Sequence, residues 1–351
     1  MRPDWKSFLG DNGAEFDDER VISFGNPERE RRITTTSDVF CDLSHFGLIA
    51  AHGEDAETFL QGQFSNDVRK VGEAHSQLSS YCTPKGRMLA NFRLFRRTDT
   101  YFMRLPQSLI ETMLKRLNMY VLRAKVTLEN ADDALVRMGY AGPNAANELA
   151  EALGSSIPEN PNEALSLAQL SILRVPGIHP RFEIYGELEA LQALWEKLNV
   201  RGAPVGADCW GLLDVLAGIP NIHPQTSEAF VPQMANMDLL GGISFEKGCY
   251  PGQEIVARTR YLGTLKRRMY LFHVDTEAVS PGQEIFDAAH ADAGRVGIVV
   301  EGYPYPNGGI EGLAVLQIKS VEDPASKLRL ASPTGPRLSV RPPPYPIEET
   351  T

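Results

Sequence analysis

One stretch of the sequence concentrates the residue types that do chemistry: Gly241-Gly242-Ile243-Ser244-Phe245-Glu246-Lys247-Gly248-Cys249-Tyr250-Pro251-Gly252-Gln253-Glu254. Four glycines and one proline in fourteen residues demand a tightly bent backbone, and that backbone holds one thiol two positions from an ammonium. The thiolate is the nucleophilic form of cysteine, and a nearby lysine with oriented backbone amides favours it. Cys249 is the candidate working thiol, Lys247 its electrostatic activator, and Gln253 and Glu254 the side chains that position the loop or a bound group. Cys41, Cys82 and Cys209 lack such surroundings and read as structural. Their spacings match neither a CxxC pair nor a disulfide framework, and no two of the seven histidines stand at i, i+3 or i+4, so no metal centre is expected. Fingerprints for phosphate loops, dinucleotide binding, zinc peptidases and serine hydrolases are absent.

Composition bounds the rest. A chain of 351 residues with 42% hydrophobic and 23% charged side chains is an ordinary globular protein of about two to three domains. Lys and Arg total 35 against 45 Asp and Glu, a net charge of −10 that excludes a globally basic nucleic-acid coat and leaves room for a local basic patch. No apolar run approaches the ~18 residues of a membrane span, and the opening residues lack signal-peptide character, so a cytoplasmic protein without a membrane partner is expected.

The elements that must position the loop follow from periodicity. Residues 1–37 are charged and weakly periodic and predict an extended arm with little core. A strand at 47–51 and a helix at 55–61 precede alternating apolar residues at 78–82, 88–95 and 101–105, which predict a hairpin with a third strand. A helix at 109–117 and a strand at 126–128 close this group, and a similar mixture recurs between about 134 and 218. From 265 onward, short β-rich runs punctuated by Gly, Pro and Asp predict a small barrel or sandwich, ending in an extended tail at 341–346. Pro-Gly-Gln-Glu-Ile occurs at 251–255 and again at 281–285; the flanks differ, and the second copy reads as a hairpin turn rather than a structural repeat.

Lys247-Gly248-Cys249-Tyr250-x-Gly252-Gln253-Glu254 resembles the signature of the YgfZ family, folate-binding relatives of the T protein of the glycine cleavage system implicated in iron–sulfur protein maturation and tRNA modification. Supporting matches are Leu60-Gln61-Gly62-Gln63 with Asn66-Asp67-Val68, Lys85-Gly86-Arg87, Ala217-Gly218-Ile219-Pro220 and Val231-Pro232-Gln233, so the resemblance spans about residues 40 to 265. It implies an α+β fold: two ferredoxin-like subdomains over 38–262 carrying the cysteine loop at 241–254, and a small C-terminal β-barrel with a tail over 263–351. It further implies tetrahydrofolate or a derivative as cofactor, with iron–sulfur client enzymes, including tRNA-thiolating enzymes, as partners. Trp210 and Phe46 match aromatic positions of the family's site and would give a pterin or p-aminobenzoyl group a flat apolar surface.

The departures from the family pattern are specific. The T protein's catalytic aspartate falls in a segment that reads Lys85-Gly86-Arg87-Met88-Leu89-Ala90-Asn91 here, without a carboxylate. Managing an amine proton requires such a group, so an active aminomethyl or one-carbon transferase, the main rival reading, is disfavoured. Relatives place Glu where this chain has Leu216, and Asp214, turned about 200° away on a helix, is a poor substitute. Residues 247–268 carry a net charge of +5 and residues 85–97 five positive charges with no negative one. Arg258, Arg260 and Arg267 in this basic mouth would meet an anionic ligand such as a polyglutamylated folate tail, or a short RNA contact. A dedicated RNA-binding module is disfavoured by the sequence pI of about 5.3 and the lack of an RNP or KH pattern.

Overall fold

Val136, Met138 and Tyr140 alternate with Arg137, Gly139 and Ala141, and the strand they build is interior to a six-stranded sheet in the computed structural model, which describes residues 1–261, 263, 265–289 and 294–347. The sheet runs Ala164–Ser166, Leu170–Val175, Arg181–Gly186, Val136–Ala141, Val39–Asp42, Ala203–Pro204, with only the last pairing parallel. One of its faces carries Phe40, Met138, Tyr140, Phe182 and Ile184 into a core covered by the helices Ala145–Leu153 and Leu188–Leu198. Alternation puts Arg181, Glu183 and Tyr185 on the other face.

The described chain is mixed α/β with four sheets and divides into two units. The first comprises residues 1–59, 68–77 and 93–213, the second residues 60–67, 78–92 and 214 onward. Residues 214–261 therefore share a unit with the C-terminal sheet and with 60–67 and 78–92, and Val215, Ala217, Ile219, Ile222, Phe230 and Met237 share a core with Met269, Leu271, Val300, Leu313 and Val315. The expected domain boundary at 262 falls on a residue outside those described, as does the end of the tail at 348–351.

Residues 1–37 are not an arm. Pro3–Asp11 is a helix whose Trp5 and Leu9, one turn apart, are buried. The Trp5 ring meets Trp195 edge-on at 5.7 Å and its Nε1 donates to Asp42 at 2.8 Å. A second helix, Pro27–Thr34, carries Glu30, whose carboxylate accepts from the backbone N–H of Phe24, Asn26 and Gly206 and so fastens the segment to the unit. Burial of Trp5 and Leu9 outweighs the charged composition that predicted an extended arm.

Elsewhere in this unit Phe46–His52 pairs with Thr100–Pro106 and with Thr127–Asn130, and residues 93–97 pair with Thr100–Pro106. Arg93 and Arg104 stand directly opposite each other in that last ladder.

The C-terminal sheet of the second unit runs Leu328–Leu330, Glu284–Asp287, Arg295–Pro304, Ile310–Gln317, Arg267–Val274, Leu338–Arg341. It is a curled half-barrel whose two edges approach through a bridge between Arg329 and Arg337. The tail beyond it is docked: the Tyr345 hydroxyl donates to the Gly218 carbonyl at 2.8 Å, and Gly218, at φ +67°, leaves room for the ring.

Candidate functional site

The cysteine loop is built within the second unit, and both its ends are tied. Before the thiol, Asn66 donates to the Gly241 carbonyl at 2.7 Å, Ser65 Oγ to the Gly242 carbonyl at 2.8 Å, and the Ser244 N–H to the Ser65 carbonyl at 3.0 Å. After it, Tyr250 is buried and the Pro251-Gly252 turn lies on the Lys85-Gly86-Arg87 turn. Gly252 at φ +82° and Gly86 at φ +70° face one another; a Cβ on Gly252 would stand 2.7 Å from the Gly86 Cα and inside contact of the Thr83 carbonyl oxygen. Both positive φ and backbone proximity demand glycine there. The helix Gln253–Tyr261 then begins, and the Gln253 amide reaches back to the Lys247 carbonyl at 3.5 Å. Glu254 is exposed.

Lys247, expected as the activator of Cys249, is held inside the fold. Its side chain is buried, and Nζ donates to the backbone carbonyls of Gln61 at 2.6 Å, Phe64 at 2.5 Å and Asn66 at 3.1 Å. Three acceptors match the three protons of an ammonium. The lysine is thus an anchor that holds the loop to the 61–66 turn; the motif Leu60-Gln61-Gly62-Gln63 with Asn66 supplies its seat. Nothing local to 247 signals this, because the partners lie more than 180 residues away in the chain.

Between these anchors Gly248 and Cys249 are exposed. The other three cysteines are buried, and burial pushes Cys82 and Cys209 up to about 12 and Cys41 well above its ordinary value. At neutral pH those three remain thiols without access to solvent, which leaves Cys249 as the accessible sulfur.

Asn91, at the end of the 85–91 segment that lacks a carboxylate, is buried and uses both ends of its amide. Nδ2 donates to the Pro220 carbonyl at 2.7 Å and Oδ1 accepts from the Ile222 N–H at 2.9 Å. Asp214 is fully buried and receives Asn221 Nδ2 at 3.3 Å; Glu301 accepts from the Asn221 N–H at 2.7 Å and from the Tyr303 hydroxyl at 3.0 Å. These groups hold the Ala217–Ile222 turn.

Phe46 and Trp210 lie in the first unit and belong to one apolar cluster. Trp210 has no exposed surface: a Cβ on Gly139 would overlap its six-membered ring, and the Arg181 guanidinium sits 4.9 Å from the ring centroid. Arg104 covers Phe46 at 4.0 Å. These rings are packed and offer no open stacking face, contrary to the sequence expectation. Among the described residues the Trp210 Nε1–H is a buried donor without an acceptor.

The basic mouth is likewise redistributed. Arg268 is buried against Asp238 at 2.7 and 2.9 Å, and Arg87 donates to the Ala229 carbonyl. Arg93 is buried on Ser76 and Asn162, and half-buried Arg97 donates to the carbonyls of Leu167 and Ala168. In the first unit Arg93, Arg104 and Arg181 surround one buried carboxylate, Glu183, which Arg104 meets at 3.2 Å. Burial alone would raise that carboxyl, but the guanidiniums of Arg104, Arg93 and Arg181 and the Tyr185 hydroxyl outweigh it and hold it low. Arg93 belongs to the positive stretch 85–97, but nothing in the sequence shows that it is opposed to Arg104 and buried. What remains exposed in the second unit is Lys85, Arg258, Arg260 and Lys266.

Comparison with known proteins fits this architecture. Residues 11–240 match the family described as the GCVT N-terminal domain. The chain superposes on the glycine cleavage system aminomethyltransferase T from Bartonella henselae with a TM-score of 0.78, covering 96% of this chain and 95% of that one at 19% identity, which establishes the GcvT-like fold. The tRNA-modifying protein YgfZ of Cronobacter sakazakii is 32% identical over 88% of this chain and 93% of its own length, and that of Colwellia psychrerythraea 32% identical over 70% and 75%. The chain belongs to the YgfZ family.

Proposed function

We propose that this chain is a thiol-presenting factor that supports the assembly or repair of iron–sulfur enzymes, including those that thiolate tRNA. One observation carries the reading: Cys249 is exposed on a loop whose neighbours on both sides, Lys247 and Tyr250, are buried and fixed. A rigidly held, accessible thiol reacts or docks without the entropy loss of ordering a loop. The name borne by the relatives, tRNA-modifying protein, supports the tRNA side. Aminomethyl transfer is not favoured, because Asn91 supplies an amide engaged with backbone on both sides where a carboxylate would manage the amine proton.

Tetrahydrofolate is the cofactor the family implies. Phe46 and Trp210 do not fit as stacking surfaces, while the unpartnered Trp210 Nε1–H fits an acceptor on a ligand edge.

Complementation of a strain lacking its own YgfZ tests the thiol. Cys249→Ser is nearly isosteric, so the purified variant keeps the wild-type melting curve, yet it fails to restore tRNA thiolation and iron–sulfur enzyme activity, whereas Cys82→Ala restores both. Full restoration by Cys249→Ser overturns the reading. Tetrahydrofolate titration of wild type and Trp210→Phe, which keeps a ring but loses the N–H, tests the ligand. A several-fold weaker affinity is expected, and equal affinity removes Trp210 from any folate contact.

A further inference from the structure

The helix Gln253–Tyr261 leads out of the cysteine loop and carries a face that the thiol chemistry does not use. Arg258 and Tyr261 are three apart, hence on one side of the helix, and both are exposed, Tyr261 by 66%. The Arg260 guanidinium lies 4.2 Å from the Phe245 centroid and 5.8 Å from that of Tyr261, so the exposed ring is backed by a cation and a second aromatic. Exposed Lys85 joins them, because the turn containing it is pressed on this helix: a Cβ on Gly86 would stand 2.8 Å from the Ile255 Cβ. Among the described residues Lys85, Arg258 and Arg260 make no ion pair, and Glu254, one turn before Arg258, does not neutralise it.

From this arrangement, and resting on the proposed thiol function, we infer that the Lys85–Arg258–Tyr261 face binds a single-stranded loop of RNA and brings it to the edge of the Cys249 loop. Unpaired cations on an open helix surface suit the repeating charge of a phosphodiester chain, whereas a small dianion needs a concave site to hold it. An exposed ring with a guanidinium 5.8 Å from its centroid is a platform for an unstacked base. A protein partner would need an apolar centre, and only Ile255 and Tyr261 are exposed large apolar side chains on this helix. Lys247 and Arg268, which the sequence added to the same positive stretch, take no part, since both are buried on protein acceptors.

Fluorescence anisotropy with a labelled RNA hairpin and with the fully paired duplex of its stem tests the inference on the full-length protein. Wild type binds the hairpin more tightly than the duplex. Tyr261→Ala weakens hairpin binding at least fivefold, the low end for losing a stacked base. Arg258→Ala together with Lys85→Ala weakens it and lowers the slope of log affinity against log salt by about 1.4, for two lost phosphate contacts. Arg295→Ala, on the curled sheet, changes neither. All variants keep the wild-type melting temperature and the wild-type rate of Cys249 alkylation. Cys249→Ser binds RNA as wild type does while failing complementation, which separates this inference from the thiol function. No hairpin binding by wild type at low salt, or equal binding by the Tyr261 and Arg258/Lys85 variants, overturns it. Loss of a cross-link from Cys249 to an iron–sulfur client in those variants, without RNA binding, would assign the face to protein.

Discussion

At position 91 an amide and a carboxylate differ by one donor, and the donor is in use. Asn91→Asp would leave the Pro220 carbonyl facing a carboxylate oxygen in a buried site. An unsatisfied buried acceptor costs about 1–3 kcal/mol and a buried charge adds to it. Urea unfolding of Asn91→Asp should show that loss at neutral pH and a smaller one at pH 4, where the new carboxyl can protonate and donate. A variant as stable as wild type at both pH values would mean that the Asn91 amide contributes nothing to the turn. The sequence revealed only that a carboxylate was missing here; what replaced its role was invisible, because the partners are 129 and 131 residues downstream. Lys247 teaches the same lesson in reverse. Its closeness to Cys249 in sequence suggested electrostatic activation and left unseen that the ammonium also ties the loop to three carbonyls at 2.5–3.1 Å.

Elements were legible where one periodicity held over several residues. The alternation at 88–95 marked a strand that runs Met88–Arg97, and the spacing at 109–117 a helix that runs Ile110–Asn118. Elements set by distant contacts were not legible. The Pro3–Asp11 helix is nine residues of low apolar content held by Trp5 and Leu9 against residues from 40 to 195, and the duplicated Pro-Gly-Gln-Glu-Ile opens a helix in one copy and runs into the strand Glu284–Asp287 in the other. Both copies do turn at a glycine with positive φ, +82° at Gly252 and +86° at Gly282, as a Pro-Gly pair dictates. Their surroundings differ: Gly252 abuts the backbone of Thr83 and Gly86, whereas the Gly282 position is 3.2 Å from Gln225. Gly252→Ala should therefore destabilise the second unit by about 1–3 kcal/mol through strain and overlap. It should also alter the rate at which iodoacetamide modifies Cys249, while Gly282→Ala costs less and leaves that rate unchanged. Equal effects of the two substitutions would show that the turn-on-turn contact does not hold the loop.

Across the whole molecule the net charge of −10 conceals how unevenly charge is placed, with Arg93, Arg104 and Arg181 interior to the first unit around Glu183. His45 sits in the same unit, and burial first, then the positive fields of Arg20, Arg104 and Arg137, holds its imidazole well below the ordinary value. His75 is lowered as well, chiefly by burial. A base whose folded pKa is depressed stays neutral in the fold while the unfolded chain takes up a proton near pH 6.5, so stability present at pH 7.5 is lost as pH falls through that region. Glu183, also held low, adds an acid limb that begins only below about pH 4.3, where the unfolded carboxyl protonates first. All three tryptophans, at 5, 195 and 210, belong to the first unit, so their fluorescence in urea reports that unit alone. Wild-type stability measured this way should fall between pH 7 and pH 5 with a slope of up to about 1.4 kcal/mol per pH unit for each fully suppressed histidine. His45→Gln should flatten most of that slope, leaving the smaller share of His75 and the separate loss below pH 4.3. If His45→Gln keeps the wild-type slope between pH 7 and pH 5, the imidazole is protonated in the fold and the buried positive cluster does not act on it.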